Sequence, residues 1–228
     1  MSGGVRRRDF IKMAAAFVAS LSGATITSGA RALERASQAE GVVLWGMAVD
    51  LTKCVKCGVC VTACQHKNNL PEGIFFNKIM TVKINGRDYT LPASCMHCRY
   101  PPCLYACPVA ATYKRGDGIV DVDYSICIGC KYCAAACPYL ARVPIEEDVS
   151  HPVHPFPKGV VAKCDFCRER IDAGLKPACV EACPFSARIF GNLKDPNSEI
   201  AHVLAAKRSV VVLRSELGTW PTWYYILG

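Results

Sequence analysis

Cys54-Val55-Lys56-Cys57-Gly58-Val59-Cys60-Val61-Thr62-Ala63-Cys64 and Cys127-Ile128-Gly129-Cys130-Lys131-Tyr132-Cys133-Ala134-Ala135-Ala136-Cys137 repeat one spacing, C-x2-C-x2-C-x3-C. Two further groups, Cys95, Cys98, Cys103, Cys107 and Cys164, Cys167, Cys179, Cys183, complete the sixteen cysteines of the chain. In chain order these are groups I to IV. Groups II, III and IV end in Cys-Pro, at Pro108, Pro138 and Pro184, whereas group I has Gln65. The strict spacing is the run that holds bacterial [4Fe–4S] clusters. Sixteen thiolates at four per cluster make four clusters with none left over. Zinc uses paired C-x2-C units and has no role for a third cysteine two residues on. Disulfide scaffolds rarely repeat such a spacing.

In this type of motif a tight loop delivers three sulfurs to one cube, and the fourth cysteine ligates a neighbouring cube. Each motif therefore implies a partner motif. Cys107 to Cys127 spans 20 residues, against 31 from Cys64 to Cys95 and 27 from Cys137 to Cys164. The short gap makes groups II and III a compact pair and leaves I and IV to pair around them. The expected ligand sets are Cys54, Cys57, Cys60 with Cys183; Cys164, Cys167, Cys179 with Cys64; Cys95, Cys98, Cys103 with Cys137; and Cys127, Cys130, Cys133 with Cys107.

The 228 residues suffice for one or two compact domains. The 51% hydrophobic content includes the cysteines, so cluster binding replaces part of an ordinary apolar core. The formal charge is +8, of which residues 1–32 hold five basic side chains against Asp9. Four clusters at about −2 each offset the basic excess of the rest. No Lys/Arg-rich run lies beyond the N-terminus, which argues against nucleic acid as a partner.

Arg7-Arg8-Asp9-Phe10-Ile11-Lys12 precedes an apolar run from Met13 to Ile26, with Ala30-Arg31-Ala32 as a candidate cleavage site. Residues 1–32 are read as a twin-arginine export signal, since the apolar run is too short and too rich in small residues to span a bilayer. Export of a folded, cluster-loaded chain keeps sixteen thiols from random oxidation outside the cytoplasm. The expected location is periplasmic, or peripheral on the outer face of the cytoplasmic membrane. No other segment reaches transmembrane length, so no transmembrane helix of its own is expected.

Strand, cysteine loop and short helix form the expected unit. Gly41–Leu51, Gly118–Asp123 and Gly159–Ala162 are β-prone runs leading into groups I, III and IV, and Val61–Ala63 and Ala134–Ala136 suit helical turns. Asn85-Gly86 between Thr81–Ile84 and Arg87–Thr90 predicts a hairpin with a type I′ turn. Ser198 is set to cap a helix to about Lys207, and Val210–Leu213 reads as a strand. The predicted fold is α+β and ferredoxin-like. Residues 41–94 with 159–190 form an outer two-cluster module, and 95–143 form an inner one inserted within it. Residues 144–158 are an exposed Pro/His loop and 191–228 a C-terminal tail, whose Trp220–Leu227 either packs on the domain or docks a partner.

His97 is a candidate to hydrogen-bond a cluster, or else a packing residue. Lys53, Lys56, Lys131 and Lys163 adjoin cluster cysteines and either raise reduction potentials or are simply solvated. His151 and His154 in a Pro-rich loop are weak metal candidates. No Gly-rich phosphate or dinucleotide loop and no Ser/His/Asp arrangement is present, and every cysteine is committed, so no catalytic residues are expected.

With four groups in this order, residues 41–228 resemble the four-cluster iron–sulfur subunits of respiratory complexes. These accompany molybdopterin oxidoreductases such as tetrathionate, polysulfide, thiosulfate and dimethyl sulfoxide reductases and formate dehydrogenases, or quinol-oxidising membrane proteins of periplasmic nitrite reduction. The resemblance rests on Cys95-Met96-His97-Cys98 with Pro101-Pro102-Cys103, Ala178-Cys179-Val180-Glu181-Ala182-Cys183, Gly191–Ser198, and Leu217-Gly218-Thr219 with Tyr224-Tyr225. Trp220-Pro221-Thr222-Trp223 departs from it, being less polar than is usual there. The resemblance implies the same crossed pairing of groups. It also implies a non-catalytic relay of single electrons between an integral membrane quinone-interacting subunit and a molybdopterin-type catalytic subunit or a cytochrome. The alternatives are a stand-alone diffusible ferredoxin and a catalytic iron–sulfur oxidoreductase.

Overall fold

The computed structural model describes residues 42–151, 155–206 and 209–228. The segment read as an export signal, and His154, lie outside them. In chain order the elements are β1 (Trp45–Asp50), α1 (Val59–Asn68), β2 (Lys78–Ile84), β3 (Arg87–Ala93), α2 (Pro102–Tyr105), β4 (Thr112–Lys114), β5 (Val120–Val122) and α3 (Tyr132–Ala135). There follow β6 (Val143–Pro144), β7 (Val161–Ala162), α4 (Arg168–Asp172), α5 (Ala178–Glu181), β8 (Arg188–Asn192), α6 (Glu199–Ala206), β9 (Val210–Val211), a 3-10 turn (Ser215–Leu217) and β10 (Trp223–Ile226). No helix among the described residues is long and apolar enough to cross a membrane.

One unit occurs four times: an entry strand, a cysteine loop, a helical turn and an exit strand. The entry strands are β1, β3, β5 and β7, and the exit strands β2, β4, β6 and β8. Each exit strand pairs antiparallel with the next entry strand, as β2–β3, β4–β5 and β6–β7, and β8 pairs back onto β1. The backbone hydrogen-bonding groups of such short strands are satisfied through pairings of this kind. Asn85 and Gly86 both take left-handed backbone angles, with φ of 48° and 81°, as a type I′ turn requires.

Within the segment expected as a C-terminal tail, 191–228, the stretch Trp223–Ile226 packs into the core, one of the two readings of its aromatic run. β10 lies between β1 and β9 in a four-stranded sheet ordered β8-β1-β10-β9. It runs parallel to β1, with Met47 opposite Trp223 and Asp50 opposite Ile226. Trp223 and Tyr225 are buried with Met47, Val49, Phe166 and Phe190, and Ile226 with Ala48 and Ile189, whereas Trp220 stays exposed. An apolar run with β-prone aromatics gains more by filling the sheet than by facing water. Ser198 Oγ accepts the Ala201 N–H at 3.2 Å and caps α6 as expected. The expected strand at Val210–Leu213 is only Val210–Val211 long.

The Pro/His segment 144–158 also differs from its expected exposed form. Ile145, Val149 and Phe156 are buried against Leu70 and Phe76, and Val149 and Phe156 exchange backbone hydrogen bonds. Three apolar side chains at irregular spacing carry no periodic signal, so the burial is tertiary in origin.

Candidate metal centres: four cysteine-lined cavities

The sixteen cysteines are all free thiols, and they line four cavities in sets of four. The first cavity is lined by Cys54, Cys57, Cys60 and Cys183. The second has Cys64, Cys164, Cys167 and Cys179. The third has Cys95, Cys98, Cys103 and Cys137, and the fourth Cys107, Cys127, Cys130 and Cys133. In each set three cysteines come from one group and the fourth from another, so groups I and IV share two cavities and II and III share the other two.

Local backbone geometry recurs with the cysteines. The residue two positions after the first cysteine of every group is left-handed: Lys56, His97, Gly129 and Phe166. Groups I and III add a second at Gly58 and Lys131, and Cys167 does so in group IV. In groups I and III the two left-handed residues flank one other residue, a spacing suited to turning successive N–H groups into one concavity, whereas in group IV they are consecutive. A further left-handed residue falls three positions after Cys107, Cys137 and Cys183, at Ala110, Leu140 and Ser186. These turns bring the exit strands back across the cavities.

Burial grades along the set. Cys57 and Cys130, in the first and fourth cavities, are exposed, whereas the second and third hold six buried thiols: Cys64, Cys167, Cys179, Cys95, Cys98 and Cys103. Burial pushes the Cys98 thiol up to about 12, and burial together with the Asp165 carboxylate does the same to Cys164. Thiols so shifted stay protonated alone, and a bound metal must supply the charge that removes the proton.

Two buried arginines reach the sulfurs. Arg188 donates to Cys60 Sγ at 3.3 Å and to Cys179 Sγ at 3.4 Å, bridging the first and second cavities. Its Nη2 also donates to Asn77 Oδ1 at 3.0 Å, and its guanidinium lies over the Trp223 ring. Arg142 lines both the third and fourth cavities and donates to Cys103 Sγ at 3.0 Å. Between the second and third cavities lies Lys163, 1% exposed, whose ammonium donates to the Val120 and Cys164 carbonyls. Burial raises the Cys95 thiol, and the Lys163 charge leads the influences opposing it. Sequence reasoning passed over the arginines, yet a signal was there. Cys137-Pro138-Tyr139-Leu140-Ala141-Arg142 and Cys183-Pro184-Phe185-Ser186-Ala187-Arg188 share the pattern C-P-x-x-A-R.

These observations meet what a [4Fe–4S] cluster asks of a protein: four sulfur donors gathered in each set, on loops whose left-handed residues turn the backbone around them. Arg142 Nη1 is buried without a hydrogen-bond partner among the described residues, in a wall shared by two cavities. Such an orphaned donor asks for an acceptor inside. His97 lines none of the four cavities. It is fully buried, accepts the Val120 N–H at Nδ1 and stacks on Phe166 at 3.8 Å, and its Nε2 is buried without a hydrogen-bond partner among the described residues. Lys53, Lys56 and Lys131 are exposed. His151 bonds the Lys67 carbonyl and gathers no metal-ligand cluster among the described residues.

Family models match twice: a 4Fe-4S dicluster domain over residues 87–193 and a 4Fe-4S binding domain over residues 47–67. The chain is 42% identical over 208 residues to a putative dimethyl sulfoxide reductase iron-sulfur subunit of Halobacterium salinarum, covering 81% of this chain and 79% of that one. It is 37% identical over 261 residues to an Hdr-like menaquinol oxidoreductase iron-sulfur subunit of Archaeoglobus fulgidus, covering 96% and 97%. A tetrathionate reductase subunit of Salmonella typhimurium is 41% identical over 189 residues, covering 80% and 72%.

Proposed function

We propose, from the premise that this chain belongs to the family of 4Fe-4S iron–sulfur electron-transfer subunits of reductase complexes, that it carries four [4Fe–4S] clusters in two linked modules. It is a non-catalytic subunit. Each cluster, when bound, supplies reversible storage of one electron. The sixteen cysteines hold the clusters in the sets that line the four cavities, with groups I and IV forming the outer module and II and III the inner. Electrons pass in single steps along the four sites, from first to fourth or the reverse, between a quinone-linked membrane subunit and a catalytic oxidoreductase subunit.

The observation that carries this reading is the gradient of burial. The middle sites hold three buried thiols each, while the outermost two open at Cys57 and Cys130 and have Cys133 as their one buried thiol. Exposed apolar side chains line each opening: Val55, Val59 and Phe185 at the first site, and Ile128 at the fourth. Exposed apolar groups beside a redox site suit docking, since a partner that covers them also excludes water there. The backbone nests hold the amides in place, and burial of the middle sites keeps oxidants and solvent away. The name of the Archaeoglobus relative, a menaquinol oxidoreductase subunit, supports a quinol as the donor class. The Arg7-Arg8 motif supports export in the folded, loaded state.

The test uses anaerobic membranes from cells making the tagged full chain. A reduced quinol analogue is expected to bring up the reduced-cluster electron paramagnetic resonance (EPR) signals only when the membrane fraction is present, and the chain to co-purify with a multi-span protein. Equal reduction of the purified chain by a soluble donor, with no membrane association, would instead favour a diffusible ferredoxin.

A further inference from the structure

We propose that Arg188, Lys163 and Arg142 are junction counter-charges, each raising the reduction potentials of the two cluster sites that it separates. The inference rests on the four-cluster reading above. The placement is regular. Arg188 touches a sulfur of the first site and one of the second, Cys60 and Cys179. Arg142 lines the third and fourth sites together. Lys163 stands between the second and third, its ammonium bonded to the carbonyl of Cys164, which lines the second, and to that of Val120, which lines the third. Three buried cations thus alternate with four sites.

All three are at least nine-tenths buried, at 4%, 1% and 6% exposure for Arg188, Lys163 and Arg142. Among the described residues neither guanidinium is ion-paired with a carboxylate. A buried charge needs a compensating charge, and the loaded sites supply it. Reduction by one electron takes a four-thiolate cluster from about −2 to about −3, so a fixed cation at close range favours the reduced form. A cation between two sites acts on both, and it offsets the repulsion that a second electron meets next door. Asp165 lines the second site with the opposite sign, which makes the Lys163 junction the weakest of the three. The solvated Lys53, Lys56 and Lys131 act through water and contribute little.

The experiment is a mediated EPR redox titration, with dithionite as reductant, on the full cluster-loaded chain. Signals are assigned to sites beforehand through cysteine variants. Arg142→Gln is expected to lower the third and fourth midpoints by at least tenfold in reduction equilibrium, about 59 mV for one electron, and to leave the first and second in place. Arg188→Gln is expected to do the converse. Arg142→Lys and Arg188→Lys, which keep the charge, should stay within about threefold of the parent. Equal shifts at all four sites, no shift, or lysine variants that shift as far as the glutamine variants would overturn the proposal. Iron loss in a glutamine variant that lysine restores supports the counter-charge, and loss that lysine does not restore assigns the arginine to packing. Iron and sulfide analysis of the parent chain separates this outcome from failure of the four-cluster reading itself.

Discussion

Trp223→Ala is the sharpest probe of the way the fold supports the sites. The indole is 1% exposed, lines the second cavity, stacks on Phe166 at 6.0 Å and lies under the Arg188 guanidinium at 5.4 Å. Truncating a buried tryptophan to alanine costs about 3–5 kcal/mol, and the lost cation–π contact falls within that range. For a chain of this size each kcal/mol moves the melting temperature by about 2–4 °C, so the variant should melt roughly 6–20 °C lower. Unfolding followed anaerobically by circular dichroism, together with loss of the visible cluster absorption at one heating rate, reads both effects. Trp220→Ala is the internal control: that side chain is 62% exposed, and its removal should change stability by less than about 0.5 kcal/mol. A Trp223→Ala shift below about 3 °C, or one matched by Trp220→Ala, would refute the placement of β10 as a core strand supporting the second site.

Other outcomes follow from the same geometry. Cys64→Ala and Cys167→Ala should abolish one and the same EPR signal, and Cys57→Ala and Cys183→Ala another; signals that sort by sequence group would contradict the shared cavities. Gly129→Ala should cost the fourth site its iron, because a Cβ there would fall 2.2 Å from the Gly159 carbonyl oxygen, at a φ of +66°. Gly58→Ala, with a φ of +83° but nothing within 4 Å, should keep the full iron content at a stability cost of about 1 kcal/mol, seen as a lower melting temperature. Arg168→Ala should destabilise by about 3 kcal/mol in thermal unfolding, since it leaves the buried Asp121 carboxylate without its ion pair.

Local chemistry was legible wherever it is written in neighbouring residues. Asn85-Gly86 specifies its own turn, Ser198 its own cap, and the cysteine spacings the loops that carry left-handed residues. Gap lengths suggested which groups meet, because a short linker restricts which loops can, and the cavity linings group the cysteines in the same sets. The role of β10 was not legible, since parallel pairing with β1 joins residues far apart in sequence and an aromatic tail reads alike as strand or docking surface. Phe156 was likewise assigned to an exposed loop, because prolines around it mask a side chain that a distant Phe76 buries. Arg142 and Arg188 went unnoticed among ordinary surface charges. Their C-P-x-x-A-R repeat acquires meaning only when the left-handed turn at Leu140 and Ser186 is seen to aim both guanidiniums inward.

The most direct test of the central claim is iron and acid-labile sulfide per chain, measured on protein purified without oxygen alongside an EPR redox titration. The expected result is about sixteen irons with matching sulfide and several interacting signals from reduced [4Fe–4S] clusters. Zinc without labile sulfide, or iron far short of four cubes in fully folded protein, would contradict it.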